Sequence, residues 1–200
     1  MIELKGATKR FGPLAVLDNF NFKLPDSGVV AILGTSGSGK TTLMRIIAGL
    51  EKLDSGQLIK PPEARVSMVF QEDRLIPGLS AAENILAALP PHPGNVDKTA
   101  RILGACGLSR AAHLLPEELS GGMQRRVAIG RALAFGGDIL LLDEPFKGLD
   151  PATREDVIRI VLSECEQRLI LLVTHSMEEA ERCADTILQF EGPPLMLKPL

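Results

Sequence analysis

Cysteine is scarce in this chain: Cys106, Cys165 and Cys183 are all it has. They are odd in number, widely spaced and form no C-x-x-C pair, which argues against a disulfide framework and a cysteine zinc site. A reducing compartment is the simple expectation, with the three acting as small buried apolar side chains. Long apolar runs are missing too, since none approaches the ~20 residues that carry a helix across a bilayer. The opening Met1-Ile2-Glu3-Leu4-Lys5 has no basic stretch followed by an apolar one, so no secretory leader is expected. Nor is there an excess of one charge. With 22 Lys and Arg against 25 Asp and Glu, the net charge of −3 gives no reason to expect nucleic acid as a main partner. No internal repeat or low-complexity tract stands out. The remainder, 200 residues that are 45% hydrophobic and 24% charged, suits one globular domain with room for a subdomain.

Against this background residues 34–41 stand out as Gly-Thr-Ser-Gly-Ser-Gly-Lys-Thr, following the apolar stretch Val29 to Leu33. This is the phosphate-loop pattern G-x-x-x-x-G-K-[ST] between a buried strand and a helix. Its glycines let backbone N–H groups turn toward phosphate oxygens. Lys40 adds a point charge near the outer phosphates, and Thr41 offers a hydroxyl to a magnesium ion. A helix from Thr41 to about Leu50 would present its positive end to the anion. Gly34, Thr35, Ser36, Gly37, Ser38, Gly39, Lys40, Thr41 and Thr42 are therefore candidate nucleotide-binding residues.

The rest of the chain alternates strands and helices. Short strands are expected at 2–4, 15–17 and 20–24, then one at 29–33, one following a turn at Asp54-Ser55-Gly56 and one at 66–70. Between 78 and 135 the composition turns rich in Ala and Leu, with helices expected at 80–89, 97–106, 109–114 and 125–134. Afterwards come a strand at 139–142, a helix at 151–166, a strand at 169–173, a helix at 177–183 and a last strand at 186–190. The chain stops about ten residues later, so no appended regulatory domain is expected. This order predicts an α/β fold with a parallel-sheet centre.

Two further motifs carry chemistry. Ile139 to Leu142 delivers Asp143 and Glu144 at a strand's carboxyl end, where ligands of open α/β sheets sit. Asp143 suits magnesium, and Glu144 suits orienting and deprotonating the water that attacks a γ-phosphate. Leu119-Ser120-Gly121-Gly122-Met123-Gln124 precedes a helical run, with Ser120 as a plausible N-cap and two glycines exposing N–H groups at a helix start. A second anion-facing element makes most sense if one nucleotide lies between two copies of the protein.

With these motifs in place the chain resembles, from end to end, the ATP-binding subunit of an ABC transporter. Leu119 to Gln124 is similar to that family's LSGGQ segment, with Met123 where glutamine is more usual. Gln71 matches the glutamine that touches magnesium and senses the membrane subunit. Gly148-Leu149-Asp150 matches the D-loop, and His175 the switch histidine. Phe11 takes the place of the aromatic that stacks on adenine, where Tyr is usual, and Ser176 stands where aspartate is common.

The resemblance implies a phosphate-loop NTPase core, an N-terminal antiparallel β subdomain and a small helical insertion. The core would take 1–77 and 136–200, and the insertion, carrying the signature segment, about 78–135. It implies ATP and Mg²⁺ as ligands. Lys40, Glu144 and His175 would be catalytic, and Thr41, Gln71 and Asp143 would hold metal. Ser120, Gly122 and Asp150 would reach the ATP of a second copy in a head-to-tail dimer. The protein would be a peripheral subunit on the cytoplasmic face of a membrane, docked near Gln71 to Leu79 on separate permease subunits. A solute-binding protein would be an indirect partner, and no nucleic acid a partner at all. Val69 to Leu75 and Asp143 to Phe146 resemble importers of the nitrate, sulfonate and taurine type. The alternatives are the ATPase of an exporter and a soluble ATPase not tied to transport. A kinase or GTPase with a phosphate loop leaves Leu119 to Gln124 and His175 unexplained.

Overall fold

The computed structural model describes residues 2–164 and 168–198. They form two units. The first comprises residues 2–66, 138–144 and 168–198, and the second residues 67–137 and 145–164.

The first unit opens on a hairpin of β1 (Ile2–Phe11) and β2 (Leu14–Leu24). These are two long strands, not the separate short ones expected at 2–4, 15–17 and 20–24. The register of β1 against β2 shifts between Leu4 and Ala7, Ala7 and Lys9, and Lys9 and Arg10. Each irregularity breaks the alternation of buried and exposed residues, which is why the sequence reads as fragments. A third antiparallel strand, β4 (Ser55–Ile59), completes the small sheet in the order β2-β1-β4.

The second sheet of this unit supports the loop. Strands β6 (Ile139–Asp143), β7 (Leu169–Val173), β3 (Gly28–Gly34) and β8 (Thr186–Glu191) lie side by side, with β7 between β6 and β3. All four run parallel. The interior of β3, and all of β6 and β7, are buried along their length, as strands covered on both faces must be. Helices α1 (Lys40–Ile47) and α6 (Met177–Cys183) pack against them. Phe20, Phe22 and Phe190 form a cluster with centroids 5.5 to 6.0 Å apart, joining the small sheet to β8. The expectation that the strand at 186–190 is the last is corrected. A three-residue strand, β9 (Met196–Lys198), returns antiparallel to β8. Three residues are too short for a period to register in sequence.

The second unit is helical apart from most of β5 (Val66–Val69). Helix α2 (Ala81–Leu86) begins at a capping box: Ser80 Oγ accepts the Glu83 N–H at 3.3 Å, and Glu83 Oε2 accepts the Ser80 N–H at 2.8 Å. That N–H holds the Glu83 carboxyl below the usual glutamate range. Helices α3 (Asn95–Ala105), α4 (Gly121–Phe135) and α5 (Pro151–Glu164) follow. Ile85, Ile102, Leu103, Leu108 and Val127 form their common core.

The helix expected at 109–114 is a single 3-10 turn at Ser109–Ala111. The carbonyls of Ala112 and Leu114 accept N–H groups of Ala82 and Ala81, each at 2.9 Å, and are therefore spent on the start of α2. Cys106 is buried in this core as expected, Cys183 is half-buried in the first unit, and Cys165 lies outside the described residues. No helix among the described residues is long and apolar enough to cross a membrane.

Candidate functional site

Strand β3 ends at Gly34 and α1 begins at Lys40, so residues 34–41 bridge the buried sheet and a helix N-terminus. Two glycines are sterically required. A Cβ at Gly34 would lie 2.3 Å from the Phe190 carbonyl oxygen. Gly39 caps α1 with φ 111°, and a Cβ there would lie 2.8 Å from Val16 Cγ1. Thr35, Ser36 and Gly37 are exposed, Ser38 is buried, and Thr42 is half-buried on α1.

Lys40 is 5% exposed, and its ammonium donates to the carbonyls of Gly34 (2.9 Å) and Thr35 (2.7 Å) and to Ser38 Oγ (3.2 Å). Burial pushes its pKa down, while the charges of Glu144 and Asp143 pull it back up. A cation desolvated this way has much to gain from an anion.

Parallel pairing explains how the remaining groups meet. Asp143 at the end of β6 is in register with Val173 at the end of β7. The residues just beyond, Glu144 and His175, therefore emerge side by side, with Glu144 Oε1 2.6 Å from His175 Nε2. Glu144 holds φ at 48°, a left-handed backbone that costs about 1 kcal/mol for a residue with a Cβ. Its N–H donates to the Val173 carbonyl at 2.9 Å and holds the turn. The chain around His175 is braced as well. Thr174 Oγ1 donates to the Glu179 carboxylate and accepts the Ser176 N–H at 3.1 Å.

Thr41 Oγ1 donates to Asp143 Oδ2 at 2.9 Å, so hydroxyl and carboxylate converge beside the loop. This all-oxygen pair fits a hard divalent cation that completes its shell with phosphate and water. Among the described residues no group of three or more His, Cys, Asp or Glu side chains is arranged to cage a metal. An open cleft of about 390 Å³ lined by Gly34, Thr35, His175, Met177 and Gln189 borders the loop.

Phe11 lies at the end of β1, 47% exposed, with Lys9 Nζ 5.0 Å from its ring centroid. Lys40, Thr41, Asp143, Glu144 and His175 thus come together within the first unit.

Gln71, Ser120, Gly122 and Asp150 belong to the second unit. Gln71 is exposed just past β5. Ser120 is the N-cap of α4, its Oγ accepting the Met123 N–H at 3.3 Å, and Gly122 lies in the first turn. Asp150 accepts the Thr153 N–H at 3.1 Å at the start of α5, and the hydrogen bonds from Thr153 hold its carboxyl below the usual range.

Sequence reasoning, which gives only a helix over 125–134, missed Arg125. Its side chain is 4% exposed and is bonded to Asp73 Oδ1 at 3.0 Å, to the Pro145 carbonyl at 2.9 Å and to the Phe70 carbonyl. Arg131 fastens the same segment by donating to the carbonyls of Asp73 (2.9 Å) and Arg74 (2.8 Å). No periodicity marks an arginine that turns inward to bind carbonyls. Lys9, whose ammonium faces the Phe11 ring, was also missed, since the register shift between Lys9 and Arg10 breaks the strand alternation that would relate it to Phe11.

Known proteins resemble this chain over most of its length. The ABC transporter family profile matches residues 17–147. The glutamine transport ATP-binding protein GlnQ of Escherichia coli K12 is 40% identical, over 94% of this chain and 86% of its own length. An aliphatic sulfonates import ATP-binding protein, SsuB 2 of Frankia alni, is 40% identical over 94% of this chain and 76% of its own. Among solved structures, the ATP-binding cassette MJ0796 in a dimeric post-hydrolysis state bound to ADP and Pi superposes with a TM-score of 0.85. It is 30% identical and covers 96% of this chain and 94% of its own. The profile match spans more than half of the sequence and the relatives align over nearly all of it; the chain belongs to the ABC transporter family.

Proposed function

We propose that this chain is an ATP-hydrolysing subunit that powers import of a solute through separate membrane permease subunits. The observation that carries the reading is the assembly of Lys40, the Thr41–Asp143 pair and the Glu144–His175 pair around one glycine loop at the carboxyl ends of β3, β6 and β7. Lys40 and the loop N–H groups bind the phosphates of ATP. Glu144 orients the attacking water and accepts its proton at a carboxylate oxygen. His175 holds that carboxylate from the other side.

Thr41 and Asp143, with Gln71, are the residues to hold Mg²⁺. When bound, the ion would neutralise charge on the β- and γ-phosphates. Phe11 offers a half-exposed ring face to adenine. The names of GlnQ and SsuB 2 support import over export.

The working unit is a dimer of two copies, as in the MJ0796 cassette. Ser120, Gly122 and Asp150 of one copy complete the nucleotide site of the other. The dimer sits at the cytoplasmic face of the membrane, held there by the permease. Light scattering on a Glu144→Gln sample with ATP is the test of the composite site, since slow hydrolysis preserves the bound state. A dimer is expected with ATP and a monomer without it. Adding Ser120→Arg, which places a bulky cation at the start of α4, is expected to abolish the dimer. A doubly substituted protein that still dimerises with ATP would remove the second copy from the site.

The permease-docking surface is the segment following Gln71. There Ile76 is exposed, Arg74 is exposed with its guanidinium 4.2 Å from the Phe70 ring, and Leu75 packs onto the helical core. Arg74→Glu and Leu79→Ala are expected to weaken permease association and transport, with ATP hydrolysis by the isolated subunit nearly intact. Undiminished transport in cells carrying both substitutions would place docking elsewhere.

A further inference from the structure

Lys9 is an unusual lysine. Its side chain is 10% exposed, and its ammonium lies 2.7 Å from Glu51 Oε1 and 3.4 Å from Asp54 Oδ1. The hydrogen bond to Glu51 holds its pKa above the ordinary lysine value, and the same bond holds the Glu51 carboxyl low. The ammonium is therefore charged throughout the working pH range.

Both acids are themselves anchored. Asp54 accepts the Arg10 N–H at 2.6 Å through Oδ2, and its own N–H donates to the Thr8 carbonyl at 2.9 Å. The Glu51 N–H donates to the carbonyl of Arg45, in the last turn of α1, at 3.2 Å. The same ammonium stands 5.0 Å from the Phe11 ring centroid, within cation–π range. One chain of contacts thus runs from the helix that begins at the phosphate loop, through Glu51 and Lys9, to an aromatic ring that is 47% exposed.

An exposed phenylalanine at a hairpin end would sample several rotamers, and stacking a base on it would require freezing them. A tethered cation over the ring removes that freedom beforehand and leaves the uncovered part of the ring as the stacking surface. We propose that Lys9 is a positioning residue for the nucleotide base: held by Glu51 and Asp54, it fixes the Phe11 ring in the orientation that stacks on adenine. The proposal rests on the reading of Phe11 as the base-stacking residue.

The test compares two probes on the full chain with Mg²⁺: ATP, and inorganic tripolyphosphate, which has the phosphates but no base. Lys9→Met is expected to raise the Kd for ATP about 3- to 10-fold, the range for re-immobilising one side chain, and to leave tripolyphosphate binding unchanged. Lys9→Arg, which keeps the cation, should restore ATP binding to near wild type.

Phe11→Ala should weaken ATP binding, and adding Lys9→Met to it should weaken binding no further, because a residue acting through Phe11 has nothing left to position. Should Lys9→Met fail to fold, Glu51→Ala loosens the ammonium without removing it and should show the same loss for ATP alone. Equal weakening of both probes would mean that Lys9 acts on the phosphate loop, and additive losses in the double variant would mean that it acts independently of Phe11. Either result overturns the proposal, as does unchanged ATP binding in Lys9→Met. Unchanged ATP binding in Phe11→Ala is a different failure, since it removes the base-stacking reading itself.

Discussion

Replacing Glu144 with glutamine is expected to cut ATP turnover by about 100-fold or more, the lower range for loss of a general base, with ATP binding retained. Glutamine matches glutamate in size and keeps an oxygen that can accept from His175 Nε2, now 2.6 Å from the carboxylate. It also leaves Lys40 and the Thr41–Asp143 pair in place. What disappears is the capacity to take a proton from water. The backbone at Glu144 supports this assignment, since a non-glycine residue at φ 48° is held by the surrounding chain in an orientation it would not choose alone.

Single-turnover hydrolysis, measured beside an ATP titration, separates the two quantities. Wild-type turnover by the variant would show that another group accepts the proton. Loss of binding along with turnover would show that Glu144 serves the ground state instead. His175→Ala offers a second reading of the same pair. It is expected to lower turnover as well, because the carboxylate loses the partner that orients it.

Glu144 was legible in sequence because it follows an apolar run that reads as a buried strand, whereas His175 was singled out only by the resemblance to the family. Ile139 to Leu142 and Leu169 to Val173 are each followed by polar residues, and parallel pairing of β6 with β7 brings Glu144 and His175 together. The glycine loop was legible because its residue types have few other uses.

What escaped was structure made by irregularity. The bulged hairpin of β1 and β2 hid two strands of 10 and 11 residues behind broken alternation. The stretch at 109–114 carries helix-forming residues, yet its carbonyls are committed to α2. Arg125 escaped for a third reason. Burial of a charged side chain is a property of the acceptors around it, and those come from residues 52 to 55 and 20 positions away.

Those acceptors make Arg125→Met the substitution with the largest expected cost in stability. Methionine keeps the long apolar stem and fits the space, so packing loss is small. The donors are lost entirely. Asp73 loses the guanidinium 3.0 Å away, and the Pro145 and Phe70 carbonyls lose theirs in a setting where the arginine side chain is only 4% exposed. Removing one partner of a buried ion pair typically costs about 3–5 kcal/mol, because the groups left behind, here two carbonyls and a largely buried carboxylate, recover little hydration. For a chain of this length that corresponds to a fall in Tm of roughly 6–20 °C.

Arg126→Met is the control. Arg126 is half-buried and donates to the carbonyls of Cys106 (2.9 Å) and Gly122 (3.3 Å), with no ion pair to break among the described residues. It should cost clearly less. The loss at Arg125 also has a functional side. One guanidinium ties the segment carrying Gln71 to Pro145, the residue that follows Glu144 in the chain. Below its melting temperature, the Arg125→Met protein is therefore expected to hydrolyse ATP more slowly than wild type at equal folded fraction. Calorimetric melts of the three proteins and turnover at a temperature where all are folded decide both points. A melt of Arg125→Met indistinguishable from wild type would mean that the buried guanidinium is replaceable, and the fastening of residues 70–74 would have to be sought in Arg131 alone.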